Sequence, residues 1–251
     1  MSAFSRADQC IIALSDAFRG DGEILASPMS TLAMVAVRLA KLTHAPDLMM
    51  SDGVASLVAN VAPLGAPASD LVVEGWVPYR TIFDVVWSGR RHVIMGASQL
   101  DRFGNQNISA IGDYAKPKSM LLGVRGAPGN TLNHTTSYFV PSHTTRSFVA
   151  KVDVVSGVGY DRARQLGSAA RFHELRRVVS NLGVFDFATE DRSMRLVSTH
   201  AGVTVDDVVK NTGFALAVDG ATETRAPTEE ELALIRTRID PKGLAQKEIA
   251  S

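Results

Sequence analysis

The stretch from residue 96 to residue 113, GASQLDRFGNQNISAIGD, constrains the fold more than any other part of this 251-residue chain. It follows an apolar run at residues 93–95, which is typical of a buried strand. Residues 101–105, DRFGN, then have the Asp, Gly and Asn of a tight reversal, and an apolar pattern resumes at Ile108. The pattern predicts a strand, a polar loop and a second strand. Turn geometry alone also accounts for these Gly and Asn residues.

Helical and strand patterns alternate along the rest of the chain. Periodicity and turn residues predict helices at residues 5–18 and 31–43, and strands at residues 23–26, 47–50, 71–76 and 120–124. Periodicity does not decide between helix and strand for residues 80–87. A last helix begins after Thr228, and a polar tail that we expect to be mobile follows from about residue 240. The sequence has no internal repeat or linker, so residues 1–251 are expected to form a single domain.

Charge and composition exclude several classes of function. The 26 basic and 26 acidic residues balance, so no global field attracts nucleic acid or an anionic membrane surface. No apolar run is long enough to predict a membrane span, and residues 1–18 lack the layout of a signal peptide. A single cysteine, Cys10, excludes an internal disulfide framework and fits a reducing compartment. The sequence therefore predicts a soluble cytoplasmic protein, in which Cys10 is a small buried hydrophobe.

A second glycine-rich segment, RGAPGN at residues 125–130, follows the strand predicted just before it. Open α/β sheets bind ligands at the carboxyl ends of their strands. Backbone N–H groups freed by Gly126 and Gly129 suit a thioester or enolate oxygen, and Arg125 adds a cation for a carboxylate or a developing oxyanion. The alternative is a structural turn with a solvated Arg125.

The histidines give a weaker signal. His134 lies in a polar stretch after the second glycine-rich segment and is a candidate for a substrate contact, although a lone histidine is more often structural. His134 and His143 have no cysteine or regularly spaced carboxylate beside them, so no metal site is predicted. No Ser-His-Asp or Cys-His grouping is evident in the sequence.

At residues 96–107 the sequence resembles the β subunit of the class I coenzyme A transferases, in which a G-A-x-Q-x-D-x-x-G-N-x-N segment lies beside the acyl-CoA site. The matching residues are Gly96, Ala97, Gln99, Asp101, Gly104, Asn105 and Asn107. Seven positions at fixed spacing are far more specific than a lone glycine motif. The resemblance extends from about residue 11 to residue 214.

The resemblance implies an α/β fold of three layers, α/β/α, around a mainly parallel sheet. It also implies that the substrate is an acyl-CoA and that an α subunit lies on another chain, in an assembly of two α and two β subunits. Together with the signals above, the candidate substrate contacts are Gly96, Gln99, Asn105, Arg125, Gly126, Gly129, Asn130 and His134. No metal or redox cofactor is implied.

Ser51 departs from the family pattern. In similar β subunits the corresponding strand ends in a Glu-Ser-Gly-like turn, and the glutamate forms a covalent CoA thioester. A serine at residue 51, beside Asp52, cannot replace that carboxylate, because the transfer reaction passes through a glutamyl anhydride. Asp52 is predicted to form the turn and cap the segment that follows, with a role as base or hydrogen-bond acceptor as the alternative.

Three functions are compatible with these features. The preferred one is the β subunit of a CoA-thioester hydrolase of the kind that opens the last steroid ring in cholesterol breakdown. Those proteins are similar to this chain in lacking the β-subunit glutamate, and their catalytic glutamate is on the α subunit. The first alternative is the β subunit of a class I CoA transferase for a dicarboxylic or 3-oxo acid, and the second is a non-catalytic interaction subunit.

Overall fold

The computed structural model describes residues 4–249. The helices are α1 (Arg6–Asp16), α2 (Thr31–Leu42), α3 (Tyr79–Trp87), α4 (Ala127–Asn133), α5 (Tyr160–Ala163), α6 (Val205–Lys210) and α7 (Glu229–Ala233). The strands are β1 (Leu25–Pro28), β2 (Met50–Ser51), β3 (Ser56–Val58), β4 (Val73–Trp76), β5 (Arg91–Gly96), β6 (Gln99–Leu100), β7 (Gln106–Asn107), β8 (Ala110–Ile111), β9 (Ser119–Met120), β10 (Thr135–Val140), β11 (Glu174–Ser180), β12 (Gly183–Asp186), β13 (Arg195–Thr199) and β14 (Thr222–Glu223). Within residues 4–249, no helix is long and apolar enough to cross a bilayer.

A central sheet of seven strands organises the chain, in the order β1-β5-β10-β11-β12-β13-β14. The first four strands are parallel to one another, and β13 is parallel to β14. β12 is antiparallel to both of its neighbours. Four of the six neighbouring pairs are therefore parallel, and the prediction of a mainly parallel sheet is confirmed.

Both faces of the sheet are buried under apolar clusters. Successive side chains of a strand point to opposite faces, so neighbouring residues of one strand belong to different clusters. In β5, Ile94 belongs to the apolar cluster that also contains residues of α1 and α2, whereas Val93 and Met95 belong to the cluster on the other face. Tyr138 and Phe139 of β10 divide between the two clusters in the same way. The second face is covered mainly by short helices and irregular segments. The sheet thus forms the middle of three layers, as the resemblance implied.

The N-terminal helices form where their caps predict. Ser5 closes a capping box with Asp8 at the start of α1, and Ser30 accepts a hydrogen bond from the backbone of α2. Glu248 accepts two further backbone N–H groups at the start of α2, both at 2.8 Å. Ala245 is fully buried in the same apolar cluster. The prediction of a mobile tail is therefore wrong for residues 240–249, which pack on α2. That the chain forms a single domain stays a prediction.

A small antiparallel sheet of β2, β3 and β4 lies beside β1. Met49 and Ala26 join the two sheets through a backbone hydrogen bond of 3.0 Å, with the chains parallel at that point. The undecided segment at residues 80–87 is helical, within α3. No residue of α3 is buried, so this helix rests at the surface of the chain.

The polar segment that follows β5 folds as predicted into a tight reversal between β6 and β7. Asp101 Oδ1 accepts hydrogen bonds from the backbone N–H groups of Phe103 and Asn105, at 3.0 and 3.1 Å. Gly104 has a φ of +81°, and a Cβ there would lie 2.5 Å from Leu175. The reversal requires glycine at this position for both reasons.

Candidate functional site

A cavity of about 540 Å³ opens beside Ser51, between β1, α2, the β2–β4 sheet and the start of α3. β2 runs parallel to β1 where they meet, so both strands end at the same edge. This is the edge at which open α/β sheets bind ligands. The walls are largely apolar and include Met29, Met34, Val37, Leu71, Val77 and Ile82. We call this space the Ser51 cavity.

Ser51 and Asp52 form the turn at the end of β2. The hydroxyl of Ser51 accepts a hydrogen bond of 3.2 Å from the backbone N–H of Gly53. Asp52 Oδ1 accepts from three consecutive backbone N–H groups at residues 54–56, at 2.8, 2.9 and 2.9 Å. These bonds, that from Ser56 first, hold the pKa of Asp52 below its ordinary value. The predicted turn-forming role of Asp52 is confirmed.

Among residues 4–249, the side chains that line the Ser51 cavity include no good candidate for a general base. Among the lining residues within the described part of the chain, Asp52 is the one carboxylate, and none is a histidine. The hydrogen bonds that keep Asp52 ionised also lower its basicity, whereas a general base works best with a pKa near the operating pH. Asp52 is therefore poorly suited to act as a general base.

Two arginines, Arg38 and Arg91, line the Ser51 cavity. Arg38 donates to two backbone carbonyl groups, at 3.0 and 3.1 Å. Arg91 donates from Nε to Ser27 Oγ at 2.7 Å and from Nη1 to Asn130 Oδ1 at 2.9 Å. Burial lowers the pKa of both guanidinium groups, which nevertheless stay charged at neutral pH. The sequence favoured a solvated turn over a CoA phosphate contact for Arg91, because it lies in the basic run RRH at residues 90–92.

Two of the predicted substrate contacts belong to α4, which packs near Arg91. Asn130 lies within this helix, and His134 is its C-cap. Asn130 is buried, and through Arg91 it is linked to the Ser51 cavity. His134 is 1% exposed, and its Nδ1 lies 3.3 Å from the carbonyl oxygen of Val86. Burial lowers the pKa of His134 to about 4, so its ring is neutral at pH 7. His134 does not line the cavity, and its contact with substrate stays a prediction.

The expected glycine-rich loop at residues 125–130 is wrong, because α4 begins within it. Gly126 is the N-cap of α4 and its carbonyl accepts the N–H of Asn130 at 2.9 Å, while Gly129 lies inside the helix. Pro128 is the sequence signal for this start, since proline is tolerated in the first helical turn. Arg125 is exposed, has a φ of +50° and does not line the Ser51 cavity. Substrate contacts of these residues stay predictions.

The remaining predicted contacts divide between the surface and a buried network. Gly96 is exposed where β5 ends. Gln99 is buried and donates to Asp153 at 3.0 Å. Asn105 is buried and donates to Asp101 at 3.0 Å. Both amides thus serve the local fold of this chain, and their contact with an acyl-CoA stays a prediction.

Two groupings that the sequence did not reveal are present in the interior. Ser137 Oγ lies 2.9 Å from His92 Nε2, and His92 Nδ1 lies 2.7 Å from Asp21 Oδ2, which is the order of a catalytic triad. Ser137 and His92 are fully buried and do not line the Ser51 cavity, so this grouping is structural. Cys10 Sγ lies 3.6 Å from His200 Nε2, but burial raises the pKa of Cys10 to about 12. Cys10 is therefore a buried thiol, as predicted.

Metal-binding side chains do not cluster in the described part of the chain. Between residues 4 and 249, no group of three or more His, Cys, Asp or Glu side chains is arranged to hold a metal ion. The predicted absence of a resident cofactor stays a prediction.

Comparison with known proteins identifies the family to which this chain belongs. The sequence model of the coenzyme A transferase family matches residues 82–211, and the chain belongs to this family. It is 54% identical to the cholesterol ring-cleaving hydrolase IpdB subunit of Rhodococcus jostii (strain RHA1), over 98% of this chain and 96% of that protein. It is 52% identical to the IpdB subunit of Mycobacterium tuberculosis (strain ATCC 25618 / H37Rv), over 98% and 99% of the two chains. The crystal structure of Rhodococcus jostii RHA1 IpdAB matches all of both chains with a TM-score of 0.94 at 53% identity. The predicted family and fold class are confirmed.

Proposed function

We propose that this chain is the β subunit of a two-subunit hydrolase that opens a ring of a steroid-derived acyl-CoA by adding water across a carbon–carbon bond. The extended similarity to IpdB subunits supports the reaction and the steroid origin of the substrate. The single observation that carries the proposal is Ser51. It stands at the end of β2, where the family pattern puts a catalytic carboxylate, and among the described residues that line its cavity no free base is found.

The chemistry requires an activated water molecule and stabilisation of negative charge. Water adds to a ring ketone that lies in a 1,3 relationship to the thioester carbonyl, and the ketone carbon becomes a carboxylate. The carbon–carbon bond breaks, its electron pair forms the enolate of the thioester, and a proton from the water completes the new C–H bond. No electrons are gained or lost overall, so we propose that the reaction uses no resident metal or redox cofactor.

The base belongs to an α subunit in this proposal, and α3 offers the surface for it. Tyr79, Phe83 and Trp87 lie four residues apart on α3, so they share one face, and they are 82%, 46% and 58% exposed. Apolar surface of this extent marks an interaction site. Tyr79 also lines the Ser51 cavity, so a subunit on this face adjoins the cavity. We propose an assembly of two α and two β subunits.

The proposed cellular location of the enzyme is supported by its substrate and by Cys10. The free and buried Cys10 fits a reducing compartment, and acyl-CoA is a substrate of the cell interior. We propose that the enzyme works in the cytoplasm.

Co-expression with the α subunit tests the function. The purified complex is incubated with an acyl-CoA whose ring carries a ketone in a 1,3 relationship to the thioester, and the products are analysed by mass spectrometry. The expected product has the mass of the substrate plus one water and keeps its CoA. Release of the free acid together with transfer of CoA to an added dicarboxylic or 3-oxo acid would instead identify a CoA transferase.

A further inference from the structure

The wall of the Ser51 cavity that α2 supplies starts at the first turn of this helix. β1 leads into α2 through Met29 and Ser30, and both Met29 and Met34 line the cavity. Val37 and Arg38 continue the same wall along the second turn. The position of the start of α2 therefore sets the shape of one side of the cavity.

Two backbone donors at the start of α2 are bound by a side chain from the far end of the chain. The first N–H groups of a helix have no partner within the helix. Ser30 Oγ accepts one of them, from Ala33, at 3.1 Å. Glu248 accepts two more, from Thr31 through Oε1 and from Leu32 through Oε2, both at 2.8 Å. One carboxylate thus binds two consecutive donors at the positive end of the helix dipole, where an anion is most stabilising.

Residues 240–249, which we call the C-terminal strap, hold Glu248 in this place. Asp240 accepts two backbone N–H groups of the strap, at 2.8 Å each, and so closes it into a compact turn. Ala245 is fully buried in the apolar cluster that contains residues of α1 and α2, and Ile249 packs against the same cluster. Glu248 lies between these two apolar contacts, so its carboxylate reaches α2 from an anchored backbone.

The C-terminal strap has a second side, which contacts α1. Gln246 donates from Nε2 to Asp8 Oδ1 at 2.9 Å and accepts from Ser5 Oγ at 2.7 Å. Gln246 thus fastens the strap to α1, whereas Glu248 fastens the start of α2 to the strap. Neither residue lines the Ser51 cavity. Glu248 can therefore act on the cavity only through the position of α2.

We propose that Glu248 is a positioning residue, which holds the first turn of α2, and with it Met29 and Met34, where the Ser51 cavity needs them for binding an acyl-CoA. A loosened first turn would spread this wall over several positions, and a fraction of the molecules would then have the binding-competent cavity. The apparent affinity for a ligand falls by that fraction, whereas the chemical step of the bound complex is much less affected. The inference rests on the proposed function for the acyl-CoA nature of the ligand.

Variants of the complex with the α subunit test the inference. Glu248→Ala removes both acceptors, and Glu248→Gln keeps one acceptor without the charge. Gln246→Ala is the matched control, because it loosens the strap at α1 and leaves Glu248 in place. Amide hydrogen exchange of residues 31–34, measured by mass spectrometry, should be roughly tenfold faster in Glu248→Ala. It should be less accelerated in Glu248→Gln and nearly unchanged in Gln246→Ala.

The functional readout is KM for the ring-containing acyl-CoA. In Glu248→Ala, KM should rise roughly fivefold while kcat stays within about twofold of the wild-type value, and Glu248→Gln should show a smaller rise. Gln246→Ala should lower the temperature of thermal unfolding and leave KM unchanged. The Kd of CoA alone, measured by calorimetry, should be the same in every variant, because the change is confined to one wall of the Ser51 cavity.

Faster exchange in Glu248→Ala without a rise in KM would overturn the inference and leave Glu248 as a structural cap. Unchanged exchange of residues 31–34 would overturn it as well. An equal rise in KM in Gln246→Ala, or a raised Kd of CoA alone, would also reject it, since a general loss of stability or a CoA contact would then explain the effect. If Glu248→Ala does not assemble, Glu248→Gln decides by the same readouts.

The outcome is separable from that of the proposed function. A complex that transfers CoA instead of adding water would refute the hydrolase, while KM for its acyl-CoA would still test the role of Glu248. A complex that adds water with the same KM in the wild type and in Glu248→Ala would do the reverse.

Discussion

At Ser51 a hydroxyl group lies where a transferase of this family needs a carboxylate. The Ser51→Glu variant of the complex should not become a CoA transferase, because one new carboxylate does not create a site for the acceptor acid. We expect no enzyme-bound CoA thioester at residue 51 after incubation with acyl-CoA. Borohydride reduction followed by peptide mass spectrometry detects such a thioester. A modified residue 51 together with turnover would show that the site differs from a transferase by a single residue.

Arg125 is one of two non-glycine residues with positive φ in the described part of the chain, at +50°; the other is Arg192, at +61°. Such a conformation costs of the order of 1–3 kcal/mol and is often found at functional sites. Arg125→Ala keeps the backbone cost and removes the guanidinium group. If Arg125 contacts the developing oxyanion, kcat/KM of the complex should fall roughly 30- to 1000-fold.

Arg192→Ala is the matched control for Arg125, since it also replaces an exposed arginine of positive φ. Its kcat/KM should stay within about threefold of the wild-type value. Thermal unfolding of both variants, recorded in parallel, separates loss of contact from loss of fold. Near-normal turnover in a stably folded Arg125→Ala complex would assign Arg125 to the solvated surface.

At the level of elements, α3 is the surface proposed above for the α subunit. Phe83 lies at the centre of its exposed apolar face, and truncation of a central aromatic anchor typically costs at least about 2 kcal/mol of binding. Phe83→Asp should therefore raise the Kd between the α and β subunits roughly 30-fold or more, measured by calorimetry. Asp84→Asn, on the same helix and also exposed, is the control and should leave this Kd nearly unchanged. An unaltered Kd in Phe83→Asp would place the α subunit on another surface.

The success of sequence reasoning differed between elements for physical reasons. Local signals determine α1 and α2, because Ser5 and Ser30 cap helices whose apolar spacing is regular. The start of α4 was missed because Pro128-Gly129 is equally typical of a turn. The Ser51 cavity was also missed, since its lining comes from segments between Leu25 and Arg91 that only the tertiary fold brings together. The family motif predicted the fold correctly, but Gln99 and Asn105 are occupied within the chain.

For the whole molecule, the histidines determine the acid response. Burial is the first cause that lowers the pKa of His134 to about 4, of His143 to about 3 and of His200 to about 4. The unfolded chain binds these protons below about pH 6.5, whereas the folded chain does not. Stability is therefore lost as the pH falls from about 6.5 towards 4, by about 1.4 kcal/mol per pH unit for each histidine.

The free energy of unfolding, measured in denaturant at pH 7.5 and pH 5, tests this acid response. His200→Gln should reduce the difference in the free energy of unfolding between pH 7.5 and pH 5 by the contribution of one histidine. Asp101 acts in the opposite sense, because burial raises its pKa, but it is a single group against three histidines. A free energy of unfolding that is unchanged or larger at pH 5 would contradict the account.

The central claim, that this chain belongs to a water-adding enzyme and not to a transferase, is tested most directly with water labelled by a heavy oxygen isotope. The complex with the α subunit is mixed with the ring-containing acyl-CoA in labelled water, and the product is fragmented in the mass spectrometer. We expect the label in the new carboxylate of a product that still carries CoA, and no turnover by this chain alone. A free acid accompanied by CoA on an added acceptor acid, or turnover by the isolated chain, would contradict the claim.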